Sequence, residues 1–163
     1  MFKKLFGKKE IIESIVSPIT GTVVQIEDVA DQVFSQKMIG DGLAIDPSEG
    51  VVAAPIDGEV VQIFPTYHAV GIRSKNGLEV LIHIGMDTVA MGGEGFEGHV
   101  TQGDQVKAGD KLITFNLDLI KEKAASTISP VVITNFEAVE SLAKSGSSSV
   151  VRGQTVLLEA KLK

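Results

Sequence analysis

Two of the three histidines in this chain, His68 and His83, lie fifteen residues apart on either side of the turn sequence Ser74-Lys-Asn-Gly77. Asn-Gly accepts positive φ at little cost, and the flanking residues alternate or are β-branched, so the segment reads as a β-hairpin with one imidazole on each arm. If Ser74–Gly77 forms a four-residue loop, Arg73 faces Leu78 and His68 faces His83. If only Asn76-Gly77 loops out, His83 faces Val70 and His68 is its diagonal neighbour. Both even loops put the rings on one face, because side chains alternate with period two. Opposed Cβ atoms then lie about 4.5–5.5 Å apart and diagonal ones about 7–8 Å apart. Two imidazoles at that spacing suit proton transfer, metal ligation, or nucleophilic attack by a neutral ring nitrogen.

The neighbouring residues favour a worked site over a chance pair. Thr66, two residues before His68, brings a hydroxyl that can fix its tautomer. Gly85, two residues after His83, offers an accessible carbonyl to orient that ring, and Asp87 and Thr88 follow directly. His99, in Gly98-His-Val, lacks such company and reads as a surface residue.

The elements that must hold these groups are strands. Seventeen glycines and few helix-forming runs among 163 residues favour turns, and hydrophobic residues at 44% supply a core for one domain. Strands are readable around Gly42–Ile45, Val51–Ala53, Ala69–Arg73, Leu78–Ile84, Lys111–Asn116 and Val131–Thr134. Helix is limited to a short stretch at Leu117–Ala125 and a turn at Asp31–Ser35. Ser145–Ser149 reads as a flexible connector before the last strand. Ser17–Ile26 matches Ala54–Ile63 at 7 of 10 positions, each copy a Pro/Gly turn feeding a β-branched strand. A looser echo links Val106–Ile113 with Val151–Leu158. The expectation is an all-β antiparallel sandwich or flattened barrel, with pseudo-symmetric strand repeats and very little helix.

Charge and composition narrow the function further. Net charge is −6, yet four of the fifteen basic residues (Lys3, Lys4, Lys8 and Lys9) fall in the first nine positions, leaving eleven against twenty-one acidic residues. Such a body repels nucleic acid and attracts basic partners. Residues 1–14 read as a flexible basic tail and 15–163 as the single domain. Phe2, Leu5 and Phe6 among the lysines allow at most weak membrane-surface contact through residues 1–9. There is no cysteine, hence no thiol nucleophile and no disulfide, and no apolar run of spanning length. The cytoplasm is the expected compartment.

Beyond the hairpin, further blocks carry a family resemblance. They are Asp31-Gln-Val-Phe-Ser-Gln-Lys-Met-Ile-Gly-Asp-Gly42, Ala54-Pro-Ile-Asp-Gly-Glu-Val60, Thr66-Tyr-His68, Leu81-Ile-His-Ile-Gly-Met-Asp-Thr88, Gly93-Glu-Gly-Phe96 and Ile128-Ser-Pro-Val-Val-Ile-Thr-Asn135. In this order the chain resembles the glucose-type IIA proteins of the bacterial sugar phosphotransferase system. It departs at Ala30, where a proline is common, and at Tyr67, where a polar residue is usual. The resemblance implies a β-sandwich phosphotransferase component with both histidines on a shallow face. His83 matches the residue that is phosphorylated, His68 the one that supports the phosphate, and Thr66 the one that hydrogen-bonds a site imidazole. It also implies a donor, the histidine phosphocarrier protein HPr, and an acceptor, a cysteine of the sugar-specific IIB domain, with regulated transporters or kinases as further partners.

The apolar residues Val33, Phe34, Met38, Ile39, Phe64, Val70 and Leu81 match the family's docking surface, and Asp31 and Asp87 its acidic groups. Strand alternation points Ile84 away from His83, toward the core. No cofactor is required, because a phosphohistidine donor needs neither a nucleotide cradle nor Mg²⁺. Three other readings use the same features. Zn²⁺ on His68 and His83 is one, but a catalytic zinc takes three protein ligands and the His-x-His of related zinc peptidases is replaced by His83-Ile-Gly85. A biotinyl or lipoyl carrier is another, suggested by Val106-Lys-Ala-Gly-Asp110 but lacking the lysine hairpin. The third is a regulatory binding protein of the same fold.

Overall fold

The repeated turn is where the architecture starts. In a computed structural model, which describes residues 10–163, the two copies lie against each other. Val16 N–H donates to the Pro55 carbonyl (2.9 Å) and Ala53 N–H to the Pro18 carbonyl (2.8 Å), two bonds that the 37-residue shift interchanges. The donors Ser17 and Ala54, also 37 residues apart, bond to Thr155 O (2.8 Å) and Asp110 O (2.7 Å), which are equivalent positions of the second echo, so that echo is part of the same pseudo-twofold. Each copy needs its glycine. A Cβ on Gly21 would sit 2.1 Å from the Asp46 carbonyl, and one on Gly58 2.2 Å from that of Arg73. Only a residue without a side chain lets these strands approach.

Among the described residues the strands run β1 (Ile12–Val16), β2 (Gly21–Gln25), β3 (Asp41–Pro47), β4 (Val51–Ala53), β5 (Gly58–Ile63), β6 (Ala69–Ser74) and β7 (Glu79–His83). They continue as β8 (Phe96–Gly98), β9 (Gln105–Val106), β10 (Lys111–Phe115), β11 (Ser129–Ile133), β12 (Val139–Lys144), β13 (Ser149–Val150) and β14 (Val156–Leu162). Helix is confined to α1 (Gln32–Ser35), α2 (Leu117–Lys123) and short 3-10 turns. The Asn116 side chain caps α2 by accepting from Leu119 N–H (3.1 Å). No helix among these residues is long and apolar enough to cross a membrane.

One sheet has eight strands in the order β13-β2-β3-β11-β7-β6-β5-β9, and two have three, β1-β14-β12 and β4-β10-β8. Pairing throughout these ladders is antiparallel. Residues of all three sheets, among them Ile15, Ile72, Ile82, Ile113, Val131 and Leu158, share the main core. A smaller cluster of Ile26, Val29, Phe34, Ala44, Met86 and Val132 covers the opposite face of the large sheet, with Leu81 and Ile39 packed against it. That second face carries the site. The expected all-β sandwich with pseudo-symmetric repeats is the fold observed.

Two boundaries differ from the sequence reading. The tail was expected to run to residue 14, whereas Ile12, Glu13 and Ser14 pair with Lys161, Ala160 and Glu159 in β1. β1 is an edge strand whose Ile12 is 57% exposed, so backbone bonds to β14 rather than burial hold its start. The Ser145–Ser149 connector ends in β13, where Ser149 pairs with Thr22. The basic segment 1–9, with the membrane contact read into it, lies outside the described residues.

Candidate functional site

The β6–β7 hairpin is closed by neither even loop. Ser74 N–H donates to the Leu78 carbonyl (2.8 Å), leaving Lys75–Gly77 as a three-residue loop with Gly77 at φ +91°. In the resulting register Arg73 faces Glu79 and Ala69 faces His83. The expected pairings of His83 with His68 or with Val70 are thus both corrected. Strict alternation would put His68 on the core side, opposite Ile84, whose N–H donates to the His68 carbonyl (2.7 Å).

The imidazoles nevertheless meet, with ring centroids 5.2 Å apart at 76°. His68 lies one residue before β6, after Tyr67 in the left-handed region (φ +56°), so the pleat does not set its direction. A turn closed by Tyr67 N–H to Phe64 O (2.8 Å) swings its ring to the other face.

Each ring is anchored through Nδ1. His83 Nδ1 lies 2.8 Å from the Gly85 carbonyl, an acceptor only, so Nδ1 carries the proton and Nε2 keeps its lone pair. His68 Nδ1 is hydrogen-bonded to the Thr66 hydroxyl. When that hydroxyl donates, His68 Nε2 carries the proton and becomes the donor.

Aromatic rings close both sides, Phe34 against His83 and Phe64 against His68, each at 5.1 Å between centroids. Burial favours the neutral imidazoles. It is the main cause that lowers His68 to about 4, assisted by neighbouring His83. His83 is also lowered by burial, opposed by its bond to Gly85 and by the Asp31 carboxylate. The pair is neutral near pH 7, the state a nucleophilic nitrogen needs.

Of the expected docking residues, Val33 and Met38 are exposed at 40% and 69%, and Asp87 is exposed in the left-handed region (φ +62°). Ile39, Phe64, Leu81 and Asp31 are partly exposed, and Asp31 caps α1 by accepting from Val33 N–H (2.8 Å). Two expectations are corrected. Val70 is fully buried, paired with Ile82 on the core side, and offers no surface. Phe34 is 4% exposed, its area spent on His83 and the smaller cluster. Ile84 is core, as alternation predicts, and His99 is exposed.

Sequence reasoning missed Asn135, which clasps the hairpin from β11's far end by accepting from Glu79 N–H (2.9 Å) and donating to Gly77 O (2.7 Å). As a zinc site the pair supplies two ligands. Among the described residues no group of three or more His, Cys, Asp or Glu is assembled, one short of a catalytic zinc's protein set.

A β-sandwich presenting two neutral imidazoles, each held by Nδ1, defines a domain built for group transfer at nitrogen. The family model for the phosphoenolpyruvate-dependent sugar phosphotransferase system, EIIA 1, matches residues 13–139, and the chain belongs to that family. It is 56% identical to the PTS system glucose-specific EIIA component of Bacillus cereus, with all of both chains covered. Identity to the proteins of the same name is 52% in Halalkalibacterium halodurans and 47% in Staphylococcus aureus, each over 99% of both chains. Among solved structures it is similar to the glucose permease IIA from Mycoplasma capricolum, with TM-score 0.81, 39% identity, and coverage of 96% of this chain and 97% of that one. The family takes a phosphoryl group from HPr and passes it to a IIB component for sugar uptake, and this chain is such a phosphotransfer component.

Proposed function

We propose that His83 is the residue that carries the phosphoryl group, on Nε2, and that His68 holds the phosphate oxygens during transfer. The observation that carries this reading is the anchoring of both rings through Nδ1, which leaves the two Nε2 atoms for one incoming group. The His83 Nε2 lone pair attacks phosphorus while the P–N bond of the donor's phosphohistidine breaks, returning that electron pair to the donor ring. The proton stays on Nδ1, donated to the Gly85 carbonyl, so in the next step the His83 ring departs as neutral imidazole when an acceptor thiolate attacks. Positioning and neutralisation of equatorial oxygens carry such a transfer. His68 Nε2–H supplies one donor, and no metal or cofactor takes part.

The donor is HPr and the acceptor a cysteine of a IIB domain, reached in turn in the cytoplasm, which makes the chain a phosphotransferase component. Val33, Met38, Ile39, Phe64 and Leu81 offer an apolar centre, and Asp31 and Asp87 an acidic rim. Charge of that sign sets the on-rate and orientation of basic partners.

The test is incubation with phosphoenolpyruvate, enzyme I and HPr, followed by intact-mass measurement. One acid-labile phosphate is expected on the wild type and none on His83→Ala. Label persisting in that variant sinks the assignment. His68→Ala is expected to accept phosphate and pass it on poorly.

A further inference from the structure

The Gly85 carbonyl selects the His83 tautomer, so whatever orients that carbonyl governs which nitrogen attacks. Two consecutive peptide groups precede and follow the Gly85 Cα, and their four polar atoms all have partners. The Ile84 carbonyl accepts from the Thr88 hydroxyl (2.6 Å) and the Gly85 N–H donates to Ser129 Oγ (3.0 Å). These are the two ends of one peptide plane, gripped by two side chains. In the next plane the Gly85 carbonyl accepts from His83 Nδ1 (2.8 Å) and Met86 N–H donates to the Ser126 carbonyl (2.9 Å).

Ser129 in turn donates to the Thr127 carbonyl (2.9 Å), which fixes its lone pairs toward Gly85. Thr88 and Ser129 are both fully buried, two of the five buried polar or charged residues among those described, so no solvent competes for these bonds. Gly85 itself has φ +65°, in the left-handed region, which joins the two planes at the angle these bonds hold.

We propose that Ser129 and Thr88 are positioning residues for phosphoryl transfer, clamping the Ile84–Gly85 peptide so that His83 presents an unprotonated Nε2. This rests on His83 as the phosphoryl acceptor. It assigns Ser129, 46 residues away on β11, and Thr88 a part in the reaction that neither plays by touching the phosphate.

The experiment reads the imidazole tautomers by ¹⁵N NMR in the full chain, alongside the rate of phosphorylation by phospho-HPr. Wild type is expected to show His83 as the Nδ1–H form. Ser129→Ala and Thr88→Val are expected to populate the Nε2–H form of His83, leave His68 unchanged, and slow phosphorylation roughly tenfold to a hundredfold, as misplacement of a reacting atom does. Ser129→Thr and Thr88→Ser, which keep the hydroxyls, are expected to restore both readouts. Ser129→Cys, close in shape with a weaker acceptor, replaces the alanine variant if that one does not fold.

Folded variants with a wild-type His83 tautomer and rate overturn the proposal, and so does a fall in melting temperature with the tautomer intact. The NMR readout needs no phosphate. A His83→Ala protein that still takes label therefore refutes the acceptor assignment, and the tautomer result is judged separately.

Discussion

Acidification tests the buried imidazole pair most directly. His68 is 6% exposed and its proton affinity falls from the ordinary 6.5 to about 4, mainly through burial. Because the folded value lies below the unfolded one, the unfolded chain binds more protons between them. Stability is therefore complete above pH 6.5 and is lost as pH falls through about 4. At about 1.4 kcal/mol per tenfold change in proton affinity, the fall corresponds to about 3 kcal/mol, a large part of the roughly 5–15 kcal/mol typical of a domain. Carboxylates contribute over the same range, so the measurement is comparative. Urea unfolding midpoints are taken from about pH 7 down to about 4 for the wild type and for His68→Gln, whose amide does not titrate. Wild type is expected to lose about 3 kcal/mol more than the variant. Parallel losses, or a folded-state His68 titration near 6.5 by NMR, refute the reasoning.

Gly85→Ala is expected to cost at least about 1–2 kcal/mol from the left-handed backbone, and more because its Cβ would lie 2.7 Å from the Ser126 carbonyl. A lowered urea midpoint with slowed phosphorylation of His83 checks it. Asp31→Asn removes the carboxylate that supports the His83 proton, so His83 should titrate at lower pH, and association with a basic partner should slow and lose salt dependence in stopped-flow measurements. Val70→Ala should cost about 2 kcal/mol through a core cavity while leaving the KM for HPr unchanged, since Val70 has no exposed surface.

The parts of the fold legible in the sequence are those set by local chemistry. The Pro/Gly turns announced the repeats because Gly21 and Gly58 each face a neighbouring carbonyl that no side chain could share space with. The hairpin itself was legible, and so were the residues that hold each ring, Thr66 and Gly85, because a two-residue offset brings them alongside. The register was not. Ser74-Lys-Asn-Gly77 is compatible with loops of two, three or four residues, and the choice falls to side chains acting from outside the turn pattern. Ser74 Oγ accepts from Leu78 N–H (3.0 Å), and Asn135, more than fifty residues on, holds Gly77 and Glu79. Contacts between distant segments leave no periodic trace. The same reason hid Ser129, which sits in an otherwise apolar buried strand.

Read as a hairpin, the two arms are equivalent, and nothing in alternation or spacing says which imidazole accepts and which assists. The anchors break that equivalence. A peptide carbonyl only accepts, so His83 is committed to one tautomer with its lone pair on Nε2, whereas a hydroxyl donates or accepts, so His68 is free to carry its proton on Nε2. One Nε2 thereby keeps its lone pair, as a nucleophile must, and the other is able to donate a hydrogen bond. Removing one anchor tests whether that asymmetry, rather than position on the hairpin, divides the labour. Thr66→Val strips His68 of its hydroxyl while the Gly85 carbonyl still holds His83. Acceptance of phosphate should then persist while transfer onward to a thiol slows. Loss of acceptance in Thr66→Val, with the His83 tautomer unchanged, would show that the nucleophile depends on its neighbour's proton and not on its own carbonyl.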